Sequence, residues 1–234
     1  MTVSRDPAEG EKRAAAEAAV VEVRDGMLVG IGTGTTAAYA ISALGARVRG
    51  GLSITAIATS EASAQAAAAE GIRLLDPADV ATVDLAIDGV DEIDPLFRAI
   101  KGAGGAMLRE KIVANAAGRM IAIADASKAV ARLGAKPVPL EVLPLARAFV
   151  AAAVRPLGAD PVVRRNADGA PVRTDQGNII LDCRFVTLDD SVALAARLSA
   201  IPGLLGHGLF LSEIDALYLG TPDGVVRRER QADV

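Results

Sequence analysis

One cysteine, one histidine, no tryptophan and an aromatic content of 3% put several kinds of chemistry out of reach. Cys183 alone forms no internal disulfide and no thiolate cluster, which fits a reducing, cytoplasmic setting. A lone imidazole, His207, rules out a two-histidine metal site and any mechanism that needs two imidazoles. The net charge of -4 and the scarcity of rings deny the basic groove and stacking platforms that nucleic acid requires. No stretch reaches the ~18 uncharged apolar residues of a membrane-spanning helix. The N-terminal apolar run is short and interrupted by Glu17 and Glu22, unlike a secretory leader. Neither nucleic acid nor a membrane is an expected partner, and in an enzyme of this composition proton transfer falls to carboxylates or lysine.

What the chain does have is apolar residues, 51% of 234, enough for a sizeable core. Residues Glu9 to Val23 read as an amphipathic helix, and "DGMLVGIGTGTTAAYAISALGAR" runs from an apolar strand through a Gly/Thr turn into a second helix. "LSITAIATS", "EASAQAAAAEG" and "IRLLD" repeat the strand, helix, strand order; "ATVDLAIDGVDEID" and "AAGRMIAIADASK" add two more buried strands. Short apolar strands alternating with helices predict an α/β fold with a doubly wound, mostly parallel sheet. After Lys128 the texture changes to a proline-rich segment, hairpin signals around "NADG" and "DQGN", and a helix in "LDDSVALAARLSAIPG". This predicts a smaller α+β domain, residues 133–206, inserted near the C-terminal end of an α/β catalytic domain made of residues 1–132 and 207–234.

Three stretches just after predicted strands carry chemistry, where ligands sit in open parallel sheets. "GIGTGTTA", Gly30 to Ala37, places free backbone N–H groups and the hydroxyls of Thr33, Thr35 and Thr36 at a helix start, an anion cradle. It lacks the ending of a nucleotide P-loop, and a plain tight turn would give the same pattern. "DGVDEID" sets Asp88 and Asp91 around Gly89 and Val90, carboxylates fit to bind sugar hydroxyls or relay a proton; Glu92 and Asp94 read as solvated acids capping the turn. An oxygen-ligand divalent-cation site is the rival there. "KGAGGAMLREK" joins Lys101 at a strand end to Glu110 on a helix. The helical neighbours of Glu110 are Ala106, Met107, Val113 and Ala114, so partial desolvation would raise its pKa toward that of a neutral-pH base. Arg109 and Lys111 also have mostly apolar helical neighbours, so periodicity alone does not single out Glu110. Lys128, after a strand in "ADASK", is a candidate anion clamp; Cys183 reads as a buried small hydrophobe and His207, between two glycines, as a loop or hinge residue.

Taken together, "GIGTGTTA", "DGVDEID", "KGAGGAMLREKIV", "ADASK", "TDQGNIILD" and "IPGLLGHGLF" resemble, in order, the signature segments of ribose-5-phosphate isomerase type A, from Gly30 to Phe210. The resemblance implies reversible conversion of D-ribose 5-phosphate to D-ribulose 5-phosphate in the non-oxidative pentose phosphate pathway. It implies a cytoplasmic homo-oligomer, a homodimer or dimer of dimers, that uses no metal or organic cofactor. It makes Glu110 the general base, with Lys101 and Asp88 as further catalytic groups. Substrate binding falls to Thr33, Gly34, Thr35 and Thr36, to Asp88, Gly89, Val90 and Asp91, to Lys101, Gly102, Ala103 and Gly104, and to Lys128. In such a mechanism one carboxylate shuttles the proton through an enediolate, Lys101 and the backbone of Gly102 to Gly105 hold the oxyanion, and Asp88 with Asp91 helps to open the furanose ring. The family usually has Ser where Thr35 stands, often Gly where Ala103 stands, and commonly Glu-Asn at Gly206-His207. An acyl-CoA transferase, a sugar-phosphate deaminase or lactonase, and a non-catalytic sugar-phosphate sensor are the alternatives, and the paired aspartate and lysine-glutamate segments favour the isomerase.

Overall fold

The structure, a computed structural model, describes residues 7–231. Helix α1 (Pro7–Val20) buries Ala15, Ala16, Ala19 and Val20, one face of a helix. Strand β1 (Leu28–Ile31) leads through the Gly/Thr turn into α2 (Thr35–Arg49). β2 (Thr55–Ala58), α3 (Glu61–Ala69) and β3 (Arg73–Leu74) repeat the unit, with Ser60 capping α3 by accepting the Ser63 N–H. β4 (Leu85–Gly89) is followed by two short strands, β5 (Glu92–Ile93) and β6 (Ala99–Ile100), then α4 (Met107–Ala116) and β7 (Met120–Asp125). The next segment holds β8 (Val138–Val142), α5 (Arg147–Val154), β9 (Ala159–Val163), β10 (Ile179–Phe185), α6 (Ser191–Ser199) and β11 (Leu204–His207). β12 (Leu209–Phe210), β13 (Ala216–Thr221) and β14 (Gly224–Glu229) close the chain.

Seven strands form one sheet in the order β14-β13-β7-β4-β1-β2-β3, every pair parallel except β13 with β14. The doubly wound, mostly parallel sheet expected from the sequence is therefore present. β7 shows how the strands serve two cores. Ile121 and Ile123 join α1 and α2 on one face, while Met120, Ala122 and Ala124 meet Val113 and Ala114 of α4 on the other. Strand order runs outward in both directions from β1 and β4, so the crevice beyond their carboxyl ends is the topological switch point. At the far end, β14 is exposed at every position and carries Arg227, Arg228 and Glu229.

A four-stranded antiparallel sheet, β11-β8-β10-β9, buries Val138, Leu140 and Val142 against Val150 and Val154 of α5 and Leu194 and Leu198 of α6. Its other side meets α4, where a side chain at Gly206 would press on Leu108. The short sheet β12-β6-β5 joins the two layers, and the Lys101 N–H continues its pairing by donating to Gly208 O at 2.9 Å.

Two readings of individual residues are corrected. His207 is no hinge: it ends β11, buried, with Nε2 3.3 Å from Ser199 Oγ. Glu92 and Asp94 are capping acids but not solvated ones. Glu92 accepts the N–H groups of Gly134 and Lys136, and Asp94 accepts those of Leu96 and Arg98 and pairs with the Arg98 guanidinium. The Glu92 partners lie 42 and 44 residues along the chain and leave no local sequence signal, whereas those of Asp94 are two and four residues on in its own turn.

Candidate active site

The turn after β1 lies so close to β4 that a Cβ at Gly32 would overlap the Asp88 side chain. Gly34, at φ +105°, caps α2 in a conformation that favours glycine. The first α2 backbone bond runs from Ala38 N to Gly34 O, so the Thr35 and Thr36 N–H groups precede the ladder and remain available to an anion. Thr33 differs from expectation. Its hydroxyl lies 2.7, 2.8 and 3.1 Å from those of Thr59, Ser60 and Ser63, and its N–H donates to Asp88 Oδ1 at 3.0 Å, so both groups serve the protein's own network.

Beyond β4, Asp88 is buried. Its Oδ1 accepts the Thr33 and Gly89 N–H groups and its Oδ2 accepts Lys101 Nζ at 2.9 Å. Asp91 stands further out and accepts the Ala103 N–H at 2.9 Å. Lys101, only 2% exposed, also donates to Gly89 O, lies 3.3 Å from Glu110 Oε2, and sits 5.4 Å from the centre of the Phe210 ring. The turn that follows places its left-handed conformations on Gly102 (φ +108°) and Gly105 (φ +80°). Ala103 has no positive φ and is exposed, so its methyl group is accommodated.

α4 settles what periodicity left open. Glu110 points inward, 4% exposed, beside buried Met107, Val113 and Ala114. Arg109 instead pairs with Asp175 at 3.3 Å, and Lys111 lies 4.1 Å from the Phe210 ring centre and 3.1 Å from Glu213. Among the described residues Glu110 Oε2 has no hydrogen-bond partner; its contact with Lys101 is an ion pair without hydrogen-bond geometry. Burial pushes the Glu110 carboxyl up to about 8, with Lys101 pulling it down and Asp88 pushing it further up. For Lys101, burial opposes the charge, but Asp88 and Glu110 outweigh it and raise the pKa.

These turns enclose a cavity of about 270 Å³ lined by residues 33–36, 89–91 and 101–104 with Glu110, Lys128 and Lys12. Asp88 is not part of the lining; it stands behind Lys101. Lys12 is the residue that sequence reading missed. It sits on α1, paired with Glu9 at 2.6 Å, and the helical pattern around it is that of any solvated lysine. Cys183 is a buried core residue, its thiol pushed up to about 12 by burial, as expected for a small hydrophobe. Among the described residues no group of three or more His, Cys, Asp or Glu is arranged to hold a metal ion.

Residues 55–224 match the model of the family described as ribose 5-phosphate isomerase A (phosphoriboisomerase A). The chain belongs to the ribose 5-phosphate isomerase A family. It is 52% identical over 220 residues to the ribose-5-phosphate isomerase A of Sphingopyxis alaskensis, covering 94% of this chain and 96% of that one. It is 50% identical over 219 residues to that of Haloarcula marismortui, covering 93% and 94%. The solved ribose 5-phosphate isomerase A of Methanocaldococcus jannaschii superposes with a TM-score of 0.90 at 37% identity, over 94% of this chain and 99% of that one. A D-ribose-5-phosphate isomerase solved with phospho-erythronic acid gives 0.92 at 36%, over 95% and 99%. The fold and order of turns described above are thus those of a ribose 5-phosphate isomerase A.

Proposed function

We propose that the chain interconverts D-ribose 5-phosphate and D-ribulose 5-phosphate, with Glu110 as the base that moves the proton between C2 and C1. One observation carries this reading: a buried carboxylate with a free oxygen faces a cavity of about 270 Å³, beside an ammonium that stays charged. A base whose pKa lies near neutrality can take the C2 proton and then return it to C1, which a fully acidic carboxylate does poorly. As the C2–H bond breaks, its electrons form the enediolate and negative charge grows on the carbonyl oxygen. This reading gives that charge to Lys101 and the Gly104 N–H, both on the cavity wall, since the Ala103 N–H is taken by Asp91 and the Gly105 N–H by Gly102 O, and it asks for no metal or organic cofactor.

The phosphate end is assigned to the α2 N-terminus at Thr35 and Thr36, with Lys12 and Lys128 supplying charge. Asp91, which lines the cavity, takes the ring-opening role, while Asp88 positions Lys101. We take residues 133–206 as a smaller domain against the site and expect a cytoplasmic homo-oligomer. The test is incubation with ribose 5-phosphate alone. Ribulose 5-phosphate should accumulate to an equilibrium mixture; a transferase, a deaminase or a sensor would leave the sugar phosphate as aldose.

A further inference from the structure

Arg164 follows β9 and stands behind the 102–105 turn, outside the substrate cavity but on the wall of a smaller cavity of about 170 Å³ next to it. Its guanidinium grips Asp182 with two N–H groups, Nε at 2.8 Å and Nη2 at 2.5 Å, a fork-to-fork pairing that fixes the plane. Nη1 then donates to two successive backbone carbonyls of the turn, Gly102 O and Ala103 O, both at 2.9 Å. Neither contact touches substrate space, yet both set the orientation of groups that do. In a trans peptide the C=O and N–H point in opposite directions, and among the described residues there is no cis bond. Holding Gly102 O toward Arg164 turns the Ala103 N–H away, onto Asp91 at 2.9 Å. Holding Ala103 O there turns the Gly104 N–H away as well. Gly104 lines the cavity, and among the described residues its N–H has no hydrogen-bond partner. A cation on the carbonyl side also polarises the peptide and makes the opposite N–H a stronger donor.

We infer that Arg164, held by Asp182, is a positioning residue for the isomerisation: it orients the 103–104 peptide so that the Gly104 N–H faces the enediolate oxygen. The Gly105 N–H closes the turn onto Gly102 O at 3.1 Å and Asp91 holds the Ala103 N–H, so the 103–104 peptide is the one whose orientation depends on Arg164. The inference rests on the isomerase reading above, so the parent protein is assayed first with ribose 5-phosphate. Absence of ribulose 5-phosphate would sink that reading and this one with it, whereas the variants of an active parent test this one alone.

With an active parent, Arg164→Met should lower kcat by about tenfold or more while KM for ribose 5-phosphate stays within about threefold, because alignment and not ground-state binding is lost. Inhibition by phospho-erythronic acid, whose carboxylate offers two oxygens where the enediolate carries its charge, should weaken by a similar factor. Arg164→Lys should recover only part of the loss, since an ammonium cannot hold Asp182 bidentately and both carbonyls together. An unchanged kcat, or a loss matched by the unfolded fraction in a thermal melt, would overturn the inference. If Arg164→Met does not fold, Asp182→Asn decides: it keeps the shape, loosens the guanidinium, and should show the same kcat-against-KM split at smaller amplitude. Parental kinetics in that variant would overturn it equally.

Discussion

Lys101 Nζ and Glu110 Oε2 lie 3.3 Å apart, both side chains almost wholly buried. Their separation along the chain is bridged by a glycine-rich turn and the first turn of α4, so an ammonium at a strand end and a carboxylate on a helix share one small cavity. Burial works against both charges, but the lysine has Asp88 as a second partner, while among the described residues the glutamate pairs with no other cation. The lysine therefore stays protonated and the glutamate becomes the group that titrates near neutrality.

Glu110→Gln keeps the shape and removes the base. Its kcat is expected to fall by about 10²-fold or more with ribose 5-phosphate binding retained. Near-parental turnover in a coupled assay for ribulose 5-phosphate would remove Glu110 from its role.

The pH response follows from the direction of the Glu110 shift. The folded protein holds this proton up to about 8, whereas the unfolded chain releases it near the ordinary glutamate value. Folded protein thus binds more protons in that window, and this group's contribution to stability is lost as pH rises through it. In Glu110→Gln that loss is absent, so its stability relative to the parent should improve between pH 5 and 9, by roughly 1 kcal/mol or more in urea titrations. Activity runs the other way: kcat/KM of the parent should climb with pH as the carboxylate forms.

Lys101→Ala removes the cation from between two buried carboxylates. Turnover should fall by about 10²–10³-fold, as for loss of an oxyanion partner. Stability should drop by about 3 kcal/mol because Asp88 loses its partner in a buried site. Chemical denaturation and steady-state kinetics on the same preparation separate the two effects.

For the phosphate end, Lys12→Ala and Lys128→Ala should each raise KM for ribose 5-phosphate by about tenfold and leave kcat nearly unchanged, the pattern of uniform binding. Inorganic phosphate should become a weaker competitive inhibitor in both. An effect on kcat alone would place these lysines at the reacting carbons instead.

His207 gives a second pH effect of opposite sign. Burial, helped by Lys111, lowers its pKa to about 4, with Glu213 opposing. The neutral ring is the stable buried form, so its contribution is present above the ordinary histidine value and is lost as pH falls from about 6.5 toward 4. His207→Asn should shift the acid-unfolding midpoint to lower pH, with up to about 3 kcal/mol less acid destabilisation at pH 4. An identical acid limb in the variant would show that another group governs it.

The parallel sheet was legible because its strands are short apolar runs bounded by turn residues, and the site turns because small residues and acids follow those runs directly. Apolar helical neighbours made Glu110 a candidate but Arg109 and Lys111 shared the pattern, and its role as base came from the family resemblance; the fold separates the three, turning Glu110 to Lys101, Arg109 to Asp175 and Lys111 to Glu213. Lys12 and Arg164 left no mark, since each acts across many residues of intervening chain and each resembles a surface cation locally. The two-residue strands β5, β6 and β12 are too short to show a period. The burial of Glu92 depends on backbone N–H groups at Gly134 and Lys136 that no local pattern announces.

Both margins of the large sheet are poor templates. One ends in a strand of two residues and the other in β14, exposed throughout and carrying Arg227, Arg228 and Glu229, with Glu229 held by Arg119 and Arg227. An incoming strand would have to strip water from these charges and break their pairings before gaining any ladder bond. Growth into fibres by lateral addition of copies is thereby discouraged.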